Sequence, residues 1–523
     1  MKRRSFIKQA TTGVLLPSFF GKYDVKALAE SPWFNELATV DTNRVLVLVQ
    51  LFGGNDGLNT VIPLDQLSAL GTVRNNILLP ENRLLSLNGV SKTAFHPSLE
   101  GFRDLFNENK LAVIQSVGYP SQHFSHFRST DIWMSASDPL ENVYTGWLGR
   151  YLQTEFPNFP TNFPNTLMPD PLALQIGAQL TLTAQGEGTP MGMSISASGE
   201  FYDIGNEEDN FVVNGFAAAE LAHIRQVARQ TYNYGDVVKS AYSRGQNLAT
   251  YPSSNSLADQ LKIVARLIKG GLKTRVYLVT LGGFDTHAEQ IQSNDTTKGL
   301  HATLLQTLSD GITAFQRDLE QMHLNDRVLG MTFSEFGRRI RSNASLGSDH
   351  GAAAPSFLFG SHVFGGILGT NPTITPNIDI SANVPMQYDF RSIYATILKD
   401  WFCVSEANLN TIMLRNFQHL KLINAPNCTT SLFEKEENDA LLITNYPNPF
   451  VEQTTLNFKT RGGYTLIQIF DTEGRLLFVP IDAVYSAGNH QISLNTEGWS
   501  NGVYYARLQN EATQQLATLI KTK

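Results

Sequence analysis

Two short segments of the sequence each pair a carboxylate with an imidazole. Asp349 and His350 are adjacent, and Asp285 and His287 are separated by a single residue. Residues two apart on an extended segment point the same way, so Asp285 and His287 can reach the same ion. A carboxylate with a neutral imidazole suits zinc or manganese better than calcium. The pattern predicts a site for one or two divalent metal ions, which would be zinc, manganese or calcium.

Two further carboxylates follow stretches of chain that have the character of buried strands. Asp56 belongs to the glycine-rich stretch 53–57, and Glu335 follows the apolar run 327–333. Asp56 could instead belong to a tight turn, because Asn-Asp-Gly favours turns. Glu335 could bind a metal ion or orient a residue that does. The predicted metal site therefore consists of Asp56, Asp285, His287, Glu335, Asp349 and His350.

A stretch rich in serine and histidine, residues 118–133, could supply a hydroxyl nucleophile. It follows a predicted strand and opens a predicted helix, whose N-terminus would favour an anion. Ser125, with His126 beside it, is the candidate catalytic pair, and Ser121 and Ser129 are the next choices. Serine and histidine are also common in loops and helix caps, so a purely structural role is the alternative.

Four apolar runs precede these candidates and predict the strands that position them. They are Arg44–Phe52, Leu111–Val117, Arg275–Leu281 and Arg327–Phe333. Continuous apolar runs of this kind are typical of strands buried on both faces of a parallel sheet. In open α/β sheets, ligands bind beyond the carboxyl ends of the strands, which is where the candidate residues lie. The sequence therefore predicts an α/β domain with its site at one edge of the sheet.

Two other parts of the chain carry weaker signals. Residues 150–215 are rich in Pro, Asn, Gly and Thr, and their weak periodicity predicts an irregular insertion over the site. Arg338 and Arg339 could bind an anionic group through paired hydrogen bonds. We expect them instead to form a solvated pair at the surface.

The composition describes a globular protein of more than one domain. The chain has 523 residues, of which 42% are hydrophobic and 17% charged, and its net charge is −7. The acidic charge is spread over many residues, so we expect no nucleic-acid partner. The two cysteines, Cys403 and Cys428, could form one disulfide or remain as thiols.

The first thirty residues have the pattern of an export signal. Lys2–Lys8 is basic, Ala10–Phe20 is weakly apolar, and Ala27-Leu-Ala29 offers a small-residue cleavage site. The paired arginines predict a twin-arginine signal peptide over residues 1–29, with an ordinary Sec signal as the alternative. No later segment has the run of about 18 apolar residues that a transmembrane helix needs. We therefore expect a protein that is secreted or held at the cell surface after passing through the periplasm.

Five motifs within residues 40–425 together resemble those of the DUF1501 family, a sulfatase-like branch of the alkaline phosphatase superfamily. The motifs are Phe52–Thr60, Ser125–Phe127, Gly283–His287, Ser334–Gly337 and Ser348–Gly351. The resemblance implies a doubly wound sheet with helices on both faces. It also implies a two-metal site that hydrolyses phosphate or sulfate esters. By position, the metal ligands it implies are Asp56, Asp285, His287, Asp349 and His350.

The sequence departs from the superfamily pattern at two points. Asp285 and His287 are closer together than the usual acid–histidine pair, and no histidine in a recognisable motif follows His350. Ser125 matches DUF1501 but not the usual hydrolase signature. We therefore predict an exported metal-dependent hydrolase that acts on a phosphate or sulfate ester of a small molecule or glycan. The alternative is a non-catalytic cell-surface binding protein that retains the sulfatase-like fold.

The composition changes after residue 425. Residues 426–440 are polar and predict a linker, and evenly spaced short strands in residues 441–523 predict a small all-β sandwich. Four motifs there resemble the type A sorting domain of the type IX secretion system of Bacteroidetes. They are Asn445–Phe450, Ile469–Gly474, Gly502–Arg507 and Lys521–Lys523. The resemblance implies that this machinery carries the protein across the outer membrane to be released or anchored at the surface.

Overall fold

A computed structural model describes residues 43–165, 168–195, 232, 234–425, 442–510 and 513–522. They belong to two compact units, one spanning Asn43–Pro426 and the other containing the C-terminal strands. The predicted signal peptide, the predicted linker and Cys428 lie outside the described residues, so a disulfide between Cys403 and Cys428 stays a prediction. The predicted domain boundaries also stay predictions. Within the described residues, no helix has both the length and the apolar character needed to cross a membrane.

The first unit contains fourteen strands among its described residues. They are β1 (Val45–Phe52), β2 (Val61–Pro63), β3 (Leu85–Leu87), β4 (Val90–Phe95), β5 (Leu111–Gly118), β6 (Ala173–Ile176), β7 (Met193–Ile195), β8 (Val276–Gly282), β9 (Val328–Phe333), β10 (Gly337–Ser342), β11 (Ser348–Gly351), β12 (Ala354–Phe359), β13 (Gly366–Leu368) and β14 (Tyr388–Asp389).

Helices in the described part of the same unit connect these strands. They are α1 (Leu67–Val73), α2 (Glu100–Asn107), α3 (His126–Ser135), α4 (Trp147–Glu155), α5 (Ser256–Lys269), α6 (Leu300–Gln321), α7 (Phe390–Thr396) and α8 (Glu406–Met413). Residues 234–244 are also helical, and a π-helical turn over Ile397–Trp401 continues α7.

Nine of the strands form one mixed sheet with β1 near its middle. The spatial order is β13-β5-β12-β9-β1-β8-β6-β7, and β14 pairs with β5. β1 is parallel to β8 and β9, whereas β12 is antiparallel to both of its neighbours, β5 and β9. The carboxyl ends of β1, β5, β8 and β9 therefore lie at the same edge of the sheet.

Helices cover both faces of this sheet. Leu46 and Leu48 of β1 belong to one hydrophobic core, which includes α3, α4 and α7. Val47 and Val49 point the other way, into a second core that includes α2, α5 and α6. Each of these four side chains is fully buried, and burying one contributes on the order of 1.5–3 kcal/mol. The α/β fold with helices on both faces is confirmed.

The expectation for residues 150–215 was wrong in part. The short strands β6 and β7 lie within this stretch and extend the main sheet, because β6 pairs with β8 and β7 pairs with β6, both in parallel. They are only three and four residues long, which is too short for a periodic signal in the sequence. Residues 166–167 and 196–231 lie outside the described part of the chain.

The C-terminal unit is all-β, as predicted, but its strands are longer than expected. They are β15 (Leu442–Tyr446), β16 (Gln453–Phe470), β17 (Leu476–Asn495), β18 (Gly502–Asn510) and β19 (Thr513–Lys521), and they pair in antiparallel fashion. β16 joins two predicted strands through Gly462 and Gly463, a pair that resembles a turn in the sequence. Pairing with β17 continues on both sides of these glycines, so the chain does not turn there.

Candidate metal centre

Loops at the carboxyl-terminal edge of the main sheet bring three imidazoles around one carboxylate. Asp285 and His287 follow β8, His126 begins α3 after β5, and His350 lies on β11. Asp285 Oδ1 is 3.1 Å from His287 Nε2 and 3.2 Å from His350 Nε2. Asp285 Oδ2 is 3.4 Å from His126 Nε2. All three Nε2 atoms therefore converge on the same carboxylate.

The other nitrogen of each ring contacts a carboxyl or carbonyl oxygen. The contacts are His126 Nδ1 to Glu335 Oε1 at 2.8 Å, His287 Nδ1 to Asp349 Oδ1 at 3.1 Å, and His350 Nδ1 to the Phe124 carbonyl at 2.8 Å. When Glu335 and Asp349 are ionised, these oxygens only accept hydrogen bonds, so each Nδ1 carries the ring proton. In a neutral imidazole this leaves Nε2 with a lone pair that faces the centre.

These lone pairs come very close to one another. His287 Nε2 and His350 Nε2 are 2.9 Å apart, and both are near Asp285 Oδ1. A proton on one ring would bridge a single pair, whereas a divalent cation would satisfy all of these atoms. Histidines that ligate metals commonly donate their other N–H to a carboxylate or carbonyl, as all three do here. The arrangement has the donor set and the outer hydrogen bonds of a metal centre.

Arg338 lies beneath the centre and is fully buried. Its guanidinium donates to Asp285 Oδ1 at 2.8 Å and to the carbonyls of Gly54, Phe284 and Ser348 at 2.7–2.9 Å. It therefore ties together the loops after β1 and β8 and the strand β11. Partial burial acts to raise the pKa of Asp285, but the hydrogen bond and charge of Arg338 lower it overall. The expectation that Arg338 belongs to a solvated surface pair was wrong.

Glu335 and Asp349 lie behind the imidazoles. The buried Glu335 accepts from His126 Nδ1 and from the Gly53 amide, both at 2.8 Å, and burial raises its pKa. Asp349 accepts from His287 and from Asn343 Nδ2. Burial acts to raise the pKa of Asp349, but these hydrogen bonds lower it overall. Both carboxylates hold the ring of a histidine.

The hairpin of β10 and β11 carries Arg338 and His350 over the edge of the sheet. Asp349 and His350 therefore lie in a β-strand. Phe336, a buried residue that the sequence analysis did not single out, packs its ring 4.9 Å from His126 and 4.5 Å from His350. Its only signal was its place within the Ser334–Gly337 motif.

Gly53 allows the loop after β1 to approach the centre. Its φ of +126° is unfavourable for other residues, and a Cβ there would lie 2.3 Å from the Asp285 amide nitrogen. Gly347 has a similar role, because a Cβ there would lie 2.4 Å from the His287 carbonyl oxygen. At Gly53 and Gly347 a side chain would therefore clash with the neighbouring backbone, whatever the turn itself requires.

Asp56 lies apart from the imidazoles, in a buried network of its own. Its carboxylate accepts two hydrogen bonds from Arg74, at 3.1 and 2.7 Å, and one from Gln290 Nε2 at 2.6 Å. Burial acts to raise its pKa, but the charge and hydrogen bonds of Arg74 lower it overall. Among the described residues, the His, Cys, Asp and Glu side chains that offer three ligand atoms within 4.8 Å of one another are His126, Asp285 and His350, and Asp56 is not among them.

The three candidate serines occupy different environments. Ser125 is exposed at the N-cap of α3, directly before His126, and its side chain does not cap the helix. Ser121 is exposed in the preceding loop. Ser129 is buried, and its hydroxyl bonds to Tyr119 Oη at 2.8 Å and to the Glu335 carbonyl. Of the three, Ser125 is the one that is both exposed and next to the centre.

Two buried histidines near Asp56 make the fold sensitive to acid. Burial lowers the pKa of His96 to about 3 and that of His301 to about 4, from an ordinary value of 6.5. As the pH falls below 6.5, the unfolded chain takes up protons on these rings while the folded chain does not. The free energy of unfolding should therefore fall by about 1.4 kcal/mol per pH unit for each histidine. Urea titrations at several pH values between 6.5 and 4 would measure this slope.

The His301→Gln variant provides the control for this prediction. It removes one of the two titrating rings, so the slope of stability against pH should fall by about 1.4 kcal/mol per pH unit. An unchanged slope in this variant would show that His301 does not contribute.

Comparisons with known proteins agree with the sequence motifs. The family described as "Protein of unknown function (DUF1501)" matches residues 119–413, which is more than half of the chain. The "Secretion system C-terminal sorting domain" matches residues 444–522. Both resemblances drawn from the sequence are confirmed. No curated protein matches the chain.

Three solved structures illustrate what this chain is similar to. An alkaline phosphatase superfamily protein from Vibrio parahaemolyticus is 10% identical, with 89% of this chain and 85% of that chain covered and a TM-score of 0.31. A putative sulfatase from Bacteroides fragilis is 10% identical, with 85% and 90% covered and a TM-score of 0.30. A phosphonate monoester hydrolase from Silicibacter pomeroyi is 10% identical, with 91% and 89% covered and a TM-score of 0.28. TM-scores this low carry no argument about activity.

Proposed function

The chain belongs to the DUF1501 family, and from that premise we propose that it is an exported, metal-dependent hydrolase of phosphate or sulfate esters. One observation carries the proposal. Three imidazoles, each with its proton held on Nδ1 by an oxygen acceptor, direct their Nε2 lone pairs at the carboxylate of Asp285. Donors arranged in this way suit a divalent cation.

We propose that the ligands are His126, His287, His350 and Asp285, and that they hold one ion. Three nitrogens and one carboxylate suit zinc or manganese, whereas calcium prefers six or more oxygens. Glu335 and Asp349 then orient His126 and His287 and are not ligands themselves. Asp56 is bound to Arg74, whose positive charge takes the place of a second ion.

Ester hydrolysis needs a positive charge to stabilise the transferred group and a nucleophile to attack it. A bound divalent cation would supply the charge, by neutralising the anionic oxygens of the ester. Ser125 offers an exposed hydroxyl beside His126, and the N-terminus of α3 favours the anionic group. In the proposed reaction Ser125 Oγ bonds to phosphorus or sulfur while the bond from that atom to the ester oxygen breaks; the serine proton passes to solvent, and the leaving alkoxide takes a proton from solvent to become the alcohol. Water then cleaves the seryl ester and releases phosphate or sulfate.

The C-terminal match supports export. A secretion sorting domain over residues 444–522 favours release from the cell or display at its surface. We propose that the chain first enters the periplasm by a twin-arginine or Sec signal in residues 1–29, and that a type IX machinery then carries it outward. The substrate would then be an extracellular small molecule or glycan ester.

The full chain, purified and stripped of metal, tests this proposal. We expect it to bind about one equivalent of zinc or manganese, measured by mass spectrometry, and to hydrolyse an aryl phosphate or aryl sulfate only when reloaded. A chain that binds the metal but turns over no ester with zinc, manganese or calcium would be a surface binding protein. A chain that binds no metal would contradict the proposal that these four residues form a metal site.

A further inference from the structure

Three phenylalanine side chains are exposed around the metal centre, and we call them the phenylalanine rim. Phe52 ends β1, Phe124 precedes α3, and Phe127 lies in the first turn of α3. Their exposed fractions are 38%, 42% and 82%. Large apolar rings exposed at this level next to a polar site are typical of binding surfaces.

Each residue of the rim is linked to a residue of the centre, through its ring, its backbone or its place in the chain. The Phe52 ring lies 5.6 Å from the His126 ring. The backbone carbonyl of Phe124 accepts the hydrogen bond from His350 Nδ1 at 2.8 Å. Phe127 directly follows His126 in the chain. A ligand that places an anionic group at the centre therefore has the Phe52 ring close by, and the two other exposed rings belong to residues that contact or adjoin the histidines of the centre.

The charges at the centre limit which ligands fit. It has two partly exposed carboxylates, Asp285 and Asp349; the cation that contacts Asp285 is the buried Arg338, and the half-buried Arg339 acts on Asp349 through its charge. A ligand with one anionic group can place it on the bound cation. A polyanion would bring its remaining charges close to carboxylates, which is unfavourable.

We propose that the phenylalanine rim binds the alcohol part of the substrate, and that this part is aromatic or has an apolar ring face. The substrate class is then a monoester with one phosphate or sulfate group on such an alcohol. This inference rests on the proposed function, because the bound cation positions the anionic end. Stacking on an aromatic side chain would provide the additional affinity.

Equilibrium binding of two phosphonates to the metal-loaded chain tests the rim without requiring turnover. Phenylphosphonate and methylphosphonate carry the same anionic group, and only the first presents a ring. We expect phenylphosphonate to bind about tenfold more tightly by calorimetry. In Phe127→Ala and Phe124→Ala this preference should fall towards unity, while the affinity for methylphosphonate stays unchanged. Phe124→Ala keeps the backbone carbonyl that holds His350.

Phe364→Ala is the matched control, because Phe364 is 38% exposed but follows β12, whose end lies at the opposite edge of the sheet. It should retain the preference for phenylphosphonate. Equal binding of both phosphonates to the unaltered chain, or a preference that survives in both rim variants, would overturn the proposal. If the preference depends on the rim but no ester is turned over, the rim is still confirmed as a binding site for the ring of the ligand. The proposed hydrolase activity is then wrong.

Discussion

Asp285→Asn is expected to lower the affinity for zinc or manganese by more than 100-fold and to abolish ester hydrolysis. The Asp285 carboxylate is the one group that contacts all three Nε2 atoms, at 3.1–3.4 Å. An amide has nearly the same shape but no negative charge, so the centre would lose the anion that balances a divalent cation. Loss of a residue that only orients a ligand costs about 10–100-fold in metal affinity, and loss of a ligand should cost more.

Competition with a chromophoric chelator would measure this affinity, and ester turnover would be measured on the same samples. Asp326→Asn is the matched control, because Asp326 is exposed and does not belong to the centre. It should bind metal as the unaltered chain does. Retention of full metal affinity by Asp285→Asn would contradict the proposed ligand set.

Arg74→Met is expected to destabilise the unit Asn43–Pro426 by about 3–5 kcal/mol, because it leaves the buried carboxylate of Asp56 without its cation. Both side chains are fully buried and joined by two hydrogen bonds. Gln290 would still donate one hydrogen bond to Asp56, but a neutral amide does not replace the charge. Urea denaturation followed by tryptophan fluorescence would measure the loss.

The double variant Arg74→Met with Asp56→Leu separates charge from packing. Replacing both members of a buried ion pair by apolar residues of similar size is often close to neutral, so most of the lost stability should return. The double variant should also keep its affinity for one metal ion, because we place Asp56 outside the ligand set. A loss of metal binding in the double variant would instead assign Asp56 to the centre.

The sequence by itself determined the strands and the edge at which the site lies. The apolar runs that became β1, β5, β8 and β9 are local features, and a strand buried on both faces needs only such a run. These four strands run in the same direction, because the antiparallel β12 lies between β5 and β9. The segments that follow them therefore begin at the same edge of the sheet. Asp285, His287 and His350 were therefore predicted near one another, and the structure brings them together.

Only the tertiary structure decided what each side chain contacts at that edge. Arg74 pairs with Asp56 across a separation of 18 residues, and Arg338 reaches Asp285 because the β10–β11 hairpin folds over the sheet. Glu335 contacts Nδ1 of His126, a residue 209 positions away in the chain, and so orients that ring. Local patterns of apolar residues in the sequence indicate which residues are buried or extended. The partner of a buried charge is set by packing between distant segments, since a buried polar group must find whichever partner the fold brings to it.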